Sequence, residues 1–170
     1  MELVGFDEKV KGHIYKLASS SLCSTVSGQV MTSLMVKGPK PGDESYESHE
    51  SEKKAIFDSL KRRAKLVSEG LDAIPGFSCQ PAQGAMYCFP KIKMPLGAIK
   101  AAEEEGTTPD ALFALSLLEA TGIVVVPAAG FGQKDGRYGF RTTFLPSEEE
   151  MERCVKDIRS HYEAFCKQYA

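Results

Sequence analysis

Ile123-Val-Val-Val-Pro127-Ala-Ala-Gly130-Phe-Gly132, followed by Tyr138-Gly-Phe-Arg141-Thr-Thr-Phe144, decides how this chain reads. A β-branched run enters a loop rich in proline and glycine, and a second run carries a single arginine among aromatic residues. Both runs read as strands. Arginine between Phe140 and Phe144 is an unusual choice for a strand interior. Taking a guanidinium out of water is costly unless an anion meets it, and its planar fork matches a carboxylate bidentately. Arg141 is therefore a candidate receptor for a small carboxylate. The competing reading is an edge-strand arginine that faces solvent or pairs with a nearby Glu, and pattern alone favours that one.

Upstream of the two strands, Thr108-Pro109-Asp110 opens a helix over about 109–121 that Gly122 closes. Threonine can cap, proline suits the first helical position and aspartate complements the dipole. Residues 96–105 read as another helix, Gln83 to Phe89 as a strand closed by Pro90 and continued by Lys91 to Met94, and Phe77 to Cys79 as a short extended piece. Downstream, Ser147 and Glu150 form a capping box after Pro146, with Glu148 and Glu149 in an acidic first turn. Met151, Val155, Ile158, Tyr162, Phe165 and Tyr169 make that last helix's apolar stripe.

The N-terminal half has a different texture. Short helices are expected over residues 7–19 and about 24–36, the second stopped by Lys37-Gly38-Pro39. A long helix should run from about Ser45 to Ile74, with Phe57, Leu60, Ala64, Val67, Leu71 and Ile74 stepping by three and four. Such a helix exceeds what a small core can use, which suggests a bridge between two lobes. Breaks at Pro41-Gly42 and Pro75-Gly76 divide the chain into 1–42, 43–75 and 76–170. The order strand, helix, strand, strand, helix after Gly76 suggests a small α/β (α+β) domain: a largely antiparallel sheet with helices on one face.

At 170 residues the chain fits one domain, or one with an appendage. Hydrophobic content of 42% and charged content of 26% are ordinary for a soluble globular protein. A net charge of −2 and a pI near 6.0 give nucleic acid no electrostatic invitation. The basic cluster Lys61-Arg-Arg-Ala-Lys65 lies among Asp58 and Glu69 and reads as a solvated helix face. The five cysteines are widely spaced without a C-x-x-C, so reduced thiols in a cytosol-like compartment are expected rather than disulfides or structural zinc. No apolar run approaches the ~20 residues that span a bilayer. Met1-Glu-Leu-Val-Gly-Phe-Asp lacks the features of a signal peptide and reads like a strand already under way.

Familiar catalytic signatures do not fit. Gly130-Phe-Gly132-Gln-Lys-Asp-Gly136 has one residue too many for a dinucleotide loop and leads into a strand instead of a helix. His13, His49 and His161 are scattered, without metal-ligand spacing, and read as surface residues. Cys88 alternates with Tyr87 and Phe89 and reads as a structural thiol. Ser51-Glu-Lys-Lys54 matches a bare S-x-x-K in a highly charged stretch, where the pattern arises by chance. No base, nucleophile or metal set for self-sufficient catalysis emerges.

Taken in order, Gln83-Gly84-Ala85-Met86-Tyr87, Glu119-Ala-Thr-Gly122-Ile-Val-Val-Val-Pro127, Gly130-Phe-Gly132-Gln133 and Phe140-Arg141-Thr142-Thr143 resemble the class I pyridoxal-phosphate aminotransferases (fold type I), and most of all their alanine aminotransferase branch. The resemblance extends to Leu22-Cys23 and Ser27-Gly28-Gln29 and so covers essentially the whole chain. It implies that residues 1–42 are a helical remnant of the large cofactor-binding domain, 43–75 the interdomain helix and 76–170 the C-terminal small domain. It also implies that Arg141 clamps the substrate α-carboxylate. Ala128 stands where relatives often carry glycine, a mild departure in the loop.

The family's Schiff-base lysine, its phosphate-binding arginine and its aspartate against the pyridine nitrogen would all fall before Met1. No catalytic, cofactor-binding or metal-binding residue is therefore assigned within the chain, and the chain alone should not transaminate. The complete enzyme is expected to move the amino group of L-alanine to 2-oxoglutarate through pyridoxal phosphate, as a cytoplasmic homodimer; a mitochondrial form of the parent is left open. Two alternatives stay open: an inactive small domain acting as a binding or assembly module, and a fragment of an aminotransferase for another amino acid.

Overall fold

The computed structural model describes residues 2–134 and 136–170. Met1, at the start of the strand-like N-terminal segment, and Asp135, within the Gly130–Gly136 loop, lie outside the described residues. The chain divides into two units, Met1–Ser51 and Glu52–Ala170.

In the first unit, helix α1 spans Glu8–Ala18, and Asp7 caps it by accepting from the Lys9 N–H at 2.9 Å. Helix α2 spans Val26–Val36 and stops at the expected Lys37-Gly38-Pro39 signal. Neither helix buries a residue, and Val26, Val30, Met31, Leu34 and Met35 are all exposed. Residues 2–7 are not a strand, contrary to the sequence reading. A lone extended segment has no ladder to join, and the first strand among the described residues comes at Phe77. Helix α3, Tyr46–Asp72, begins within this unit and continues through the start of the second.

The second unit carries β1 (Phe77–Ser78), β2 (Tyr87–Cys88), β3 (Lys91–Ile92), helices α4 (Leu96–Glu104) and α5 (Pro109–Thr121), β4 (Val126–Pro127), β5 (Tyr138–Thr143) and helix α6 (Glu148–Gln168). The sheet runs β1-β3-β5-β2, with β4 also on β5, and every described pairing is antiparallel. Strand β5 is the hub, pairing Gly139 with Lys91, Thr143 with Tyr87 and Arg141 with Val126. Arg141 therefore does not sit on an edge strand.

Two strands are shorter than their sequences suggested. Of Gln83 to Phe89 only Tyr87–Cys88 pairs, because Ala85 adopts a left-handed backbone with φ 58° and Pro90 has no N–H to donate. Of Ile123 to Pro127 only Val126–Pro127 pairs, since β5 offers partners only at Phe140 and Arg141; Val124 is exposed. β-Branching keeps the rest extended, but a ladder needs a neighbour.

Local signals set the helices. Thr108 caps α5 and Gly122, at φ +74°, closes it. The capping box of α6 is formed as read, with the Glu150 N–H on Ser147 Oγ at 3.2 Å and the Ser147 N–H on Glu150 Oε2 at 2.9 Å. The stripe of α3 buries Val67 and Leu71, with Ile74 just beyond its end, but leaves Phe57 exposed, so it reaches less far than the spacing suggested. The core gathers these residues with Phe77, Cys88, Ile92 and Phe140 from the sheet and Phe113, Leu117, Ile158 and Phe165 from α5 and α6. Phe113 is its centre, stacked on Phe140 with centroids 6.1 Å apart and edge-on to Phe165 at 5.2 Å.

The basic cluster is more than a solvated face. Arg62 pairs with Glu148 at 2.8 Å, and Arg63 donates to the carbonyls of Leu145 and Pro146, tying α3 to the start of α6. The Arg62 hydrogen bond also holds the Glu148 carboxyl below its ordinary range. His161 is likewise not a surface residue. It is half-buried, 3.1 Å from Ser116 Oγ and tilted against the Phe113 ring.

Candidate functional site: a bracketed arginine on the central strand

Side chains alternate faces along a strand. Phe140 is fully buried in the core, and Arg141 next to it is only half-buried and leaves the sheet on the other side. There its guanidinium lies between two aromatic rings, 4.6 Å from the centroid of Tyr87 and 4.9 Å from that of Phe131. Cation–π contacts of this kind contribute about 0.5–1 kcal/mol when exposed and ~2 when desolvated. Phe89 meets the Phe131 ring edge-on at 5.3 Å and extends the apolar wall.

Among the described residues no acidic side chain forms an ion pair with Arg141. Both rings lie within 5 Å of the guanidinium carbon, and the group carries five N–H donors in one plane. A planar cation held this way is suited to an incoming carboxylate in the same plane.

Three local devices set the bracket. Tyr87 pairs with Thr143 on β5, and Thr143 Oγ1 donates to the Met86 carbonyl at 2.8 Å, so the Gln83–Tyr87 segment is fastened beside Arg141. A 3-10 turn over Ala128–Phe131 presents Phe131, and Gly132 ends it at φ +67°, where a side chain would be strained. Ala128, the departure noted in the sequence, is 1% exposed and anchors that turn in the core. The third device is Asp110, in the first turn of α5, whose Oδ2 accepts from the Ala129 N–H at 2.8 Å. Its other oxygen, Oδ1, is buried without a hydrogen-bond partner among the described residues. An unmet buried acceptor typically costs about 1–3 kcal/mol.

Of the residues raised by the sequence, Arg141 alone lies in this bracket. Cys88 is 3% exposed, with Ser68 Oγ 3.7 Å away. Hydrogen bonding from Cys79 and Ser68 brings its thiol down to about 7, whereas the same contact and burial push Cys79 up. Buried as it is, Cys88 meets no substrate from solvent. Among the described residues no His, Cys, Asp and Glu cluster could hold a metal ion. An apolar groove of about 640 Å³ runs between α3 and the Pro81–Ala85 loop, but Arg141 does not line it. The sequence reading missed Tyr87 and Phe131 as ring partners and saw Asp110 only as a dipole complement. Phe131 between two glycines was the available signal for the ring. The Asp110–Ala129 link crosses 19 positions and has no periodic signature.

Known proteins give this geometry a context. The fold matches an alanine aminotransferase from Pyrococcus furiosus at TM-score 0.63 and 27% identity, covering 94% of this chain and 34% of that one. It also matches an aspartate aminotransferase from Rhizobium meliloti at TM-score 0.55 and 26% identity, covering 82% and 30%. In sequence the chain is 48% identical to a probable mitochondrial alanine aminotransferase of Dictyostelium discoideum, over 99% of its own length and 32% of the relative's. It is 45% identical to mitochondrial alanine aminotransferase 2 of Arabidopsis thaliana, over 99% and 31%. It is also 44% identical to glutamate–glyoxylate aminotransferase 1 of the same plant, over 99% and 35%. The chain thus spans about a third of the length of the curated relatives it matches.

Residues 3–158 match the family described as Aminotransferase class I and II, which implies pyridoxal phosphate as the cofactor. Lys54, at the end of the Ser51-Glu-Lys-Lys54 stretch, is exposed on α3 and bonded to Asp58 at 2.6 Å. With a matching fold, a profile match over most of its length and relatives near half identical, the chain belongs to the class I and II aminotransferases.

Proposed function

We propose that these residues are the C-terminal part of an alanine aminotransferase and that Arg141 is its receptor for the substrate α-carboxylate. The observation that carries the reading is the half-buried guanidinium between Tyr87 and Phe131, without an acidic partner among the described residues. L-Alanine, 2-oxoglutarate, pyruvate and L-glutamate all carry a carboxylate beside the reacting carbon. One fixed fork therefore serves both halves of the exchange. Holding that group fixes the orientation of the bond to be broken, and small misplacements there are costly in rate.

Pyridoxal phosphate supplies the electron sink of the reaction. The lysine that binds it lies elsewhere in the enzyme, so the 170-residue chain alone is inactive. On this reading residues 1–42 belong to the large domain, 43–75 to the helix joining the lobes and 76–170 to the small domain of a cytoplasmic homodimer. Relatives named as mitochondrial proteins keep an organellar form in view. A second donor and acceptor pair has a specific support, since relatives named glutamate–glyoxylate aminotransferases are also 44% identical. Arg141 would play the same part there.

Arg141→Lys and Arg141→Ala in the full-length protein test the assignment. Both should raise KM for the amino acid and the oxo acid together and lower kcat/KM. Unchanged kinetics for both substrates would sink it. Pyridoxal phosphate added to the isolated chain should give no lysine-bound absorbance; a stable one mapped to a single lysine would contradict the inactive-fragment reading.

A further inference from the structure

We propose that Asp110 is a positioning residue for Arg141, acting through the 3-10 turn that carries Phe131; this rests on Arg141 being the carboxylate receptor. An acid in the first turn of a helix ordinarily complements the dipole from the surface. Asp110 is instead 1% exposed, and one of its oxygens has no hydrogen-bond partner among the described residues. Buried polar groups are seldom left half-satisfied, so such a residue calls for an explanation other than stability. Its one hydrogen bond goes out of its own helix, to the Ala129 N–H at 2.8 Å.

That contact fastens the turn at Ala129, its second residue. Pro127 joins it to β4, while Gly130 and Gly132 flank Phe131, with Gly132 in the left-handed region. Phe131 in turn holds one face of the Arg141 guanidinium at 4.9 Å. Removing the acceptor leaves the Ala129 N–H unpaired and frees the turn to shift. Arg141 then keeps the Tyr87 ring and loses that of Phe131. The chain of contact is short: carboxylate, turn, ring, guanidinium.

The test uses the full-length protein. Asp110→Ala should raise KM for the amino acid by up to about two- to fivefold, the limit set by losing the Phe131 contact, and change kcat by less than about twofold. Asp110→Asn keeps an acceptor for Ala129 and should bring KM back to within about 1.5-fold of its original value. In a Phe131→Ala background, Asp110→Ala should add less than about twofold, because the two act in series. Hydrogen exchange at Ala129 to Gly132 should accelerate in Asp110→Ala, while the amides of α6 stay unchanged. If Asp110→Ala is not recovered folded, Asp110→Cys removes the carboxylate acceptor at similar volume and is read the same way.

Unchanged exchange in the turn, or the full Asp110→Ala effect repeated in the Phe131→Ala background, overturns the proposal. Arg141→Lys is measured alongside. If its KM is unchanged while exchange in the turn still accelerates in Asp110→Ala, the premise fails at Arg141 and takes the proposal with it. The fault is then not at Asp110.

Discussion

Phe131→Leu should loosen substrate binding while leaving the protein folded. The ring is 43% exposed and lies 4.9 Å from the Arg141 guanidinium. A cation–π contact at such a site contributes about 0.5–1 kcal/mol. Leucine keeps most of the apolar bulk but has no ring quadrupole, so that contribution goes. The edge-on contact with Phe89 goes as well, about 0.5–1.5 kcal/mol beyond area burial. Only the first loss bears on Arg141; the second is felt as stability. With ~1.4 kcal/mol to each factor of ten, the loss at Arg141 corresponds to a KM increase of about two- to fivefold. Both losses together lower stability by ~1–2.5 kcal/mol. The assay is steady-state kinetics of the full-length protein with the amino acid and the oxo acid varied in turn, beside a urea melt. If KM stays at its original value for both substrates in a folded variant, Phe131 does not brace Arg141. A drop in kcat at constant KM would equally refute the reasoning.

Three further outcomes can be checked. Gly139→Ala would drive a Cβ into the Pro90 carbonyl and to 3.3 Å from Lys91 Cα, both backbone atoms that cannot swing aside, so overpacking of about 1–3 kcal/mol should appear as a lower melting temperature. A wild-type melt would mean that β3 and β5 separate there at no cost. Burial holds the His161 imidazole below its ordinary 6.5, so its protonation favours the unfolded chain. Stability is complete above about pH 6.5 and falls as pH drops below it; His161→Gln should flatten that limb, and an identical profile in the variant would assign the loss elsewhere. The isolated chain should self-associate through the exposed apolar residues of α2, and sedimentation as a monomer that binds no apolar dye would count against this.

Helix ends were legible because their signals are local. Ser147 and Glu150 stand three apart and specify the α6 start without reference to the rest of the chain. Strand extents were not, because a ladder is decided by partners far away in sequence. The valines from Val124 to Val126 read alike, yet only Val126 finds a neighbour on β5. The site was legible at Arg141, where chemistry and context clash within a few residues. Its supports were not: Tyr87 reaches the guanidinium across the sheet, and Asp110 reaches the turn from another helix. Helical periodicity also overshot at Phe57, since it reports which face could be buried and not how far the core extends.

Phe140 and Arg141 are consecutive residues on opposite faces of one strand, the first inside the aromatic core and the second in the ring bracket. Gaining or losing a single residue between Tyr138 and Phe140 would turn the strand over, sending the guanidinium toward the core and a phenyl ring toward Tyr87 and Phe131. The span from Gly139 to Arg141 should therefore be as intolerant of a change in length as of a change in its residues. Insertions that spare the enzyme belong in loops whose ends do not fix the parity of this strand.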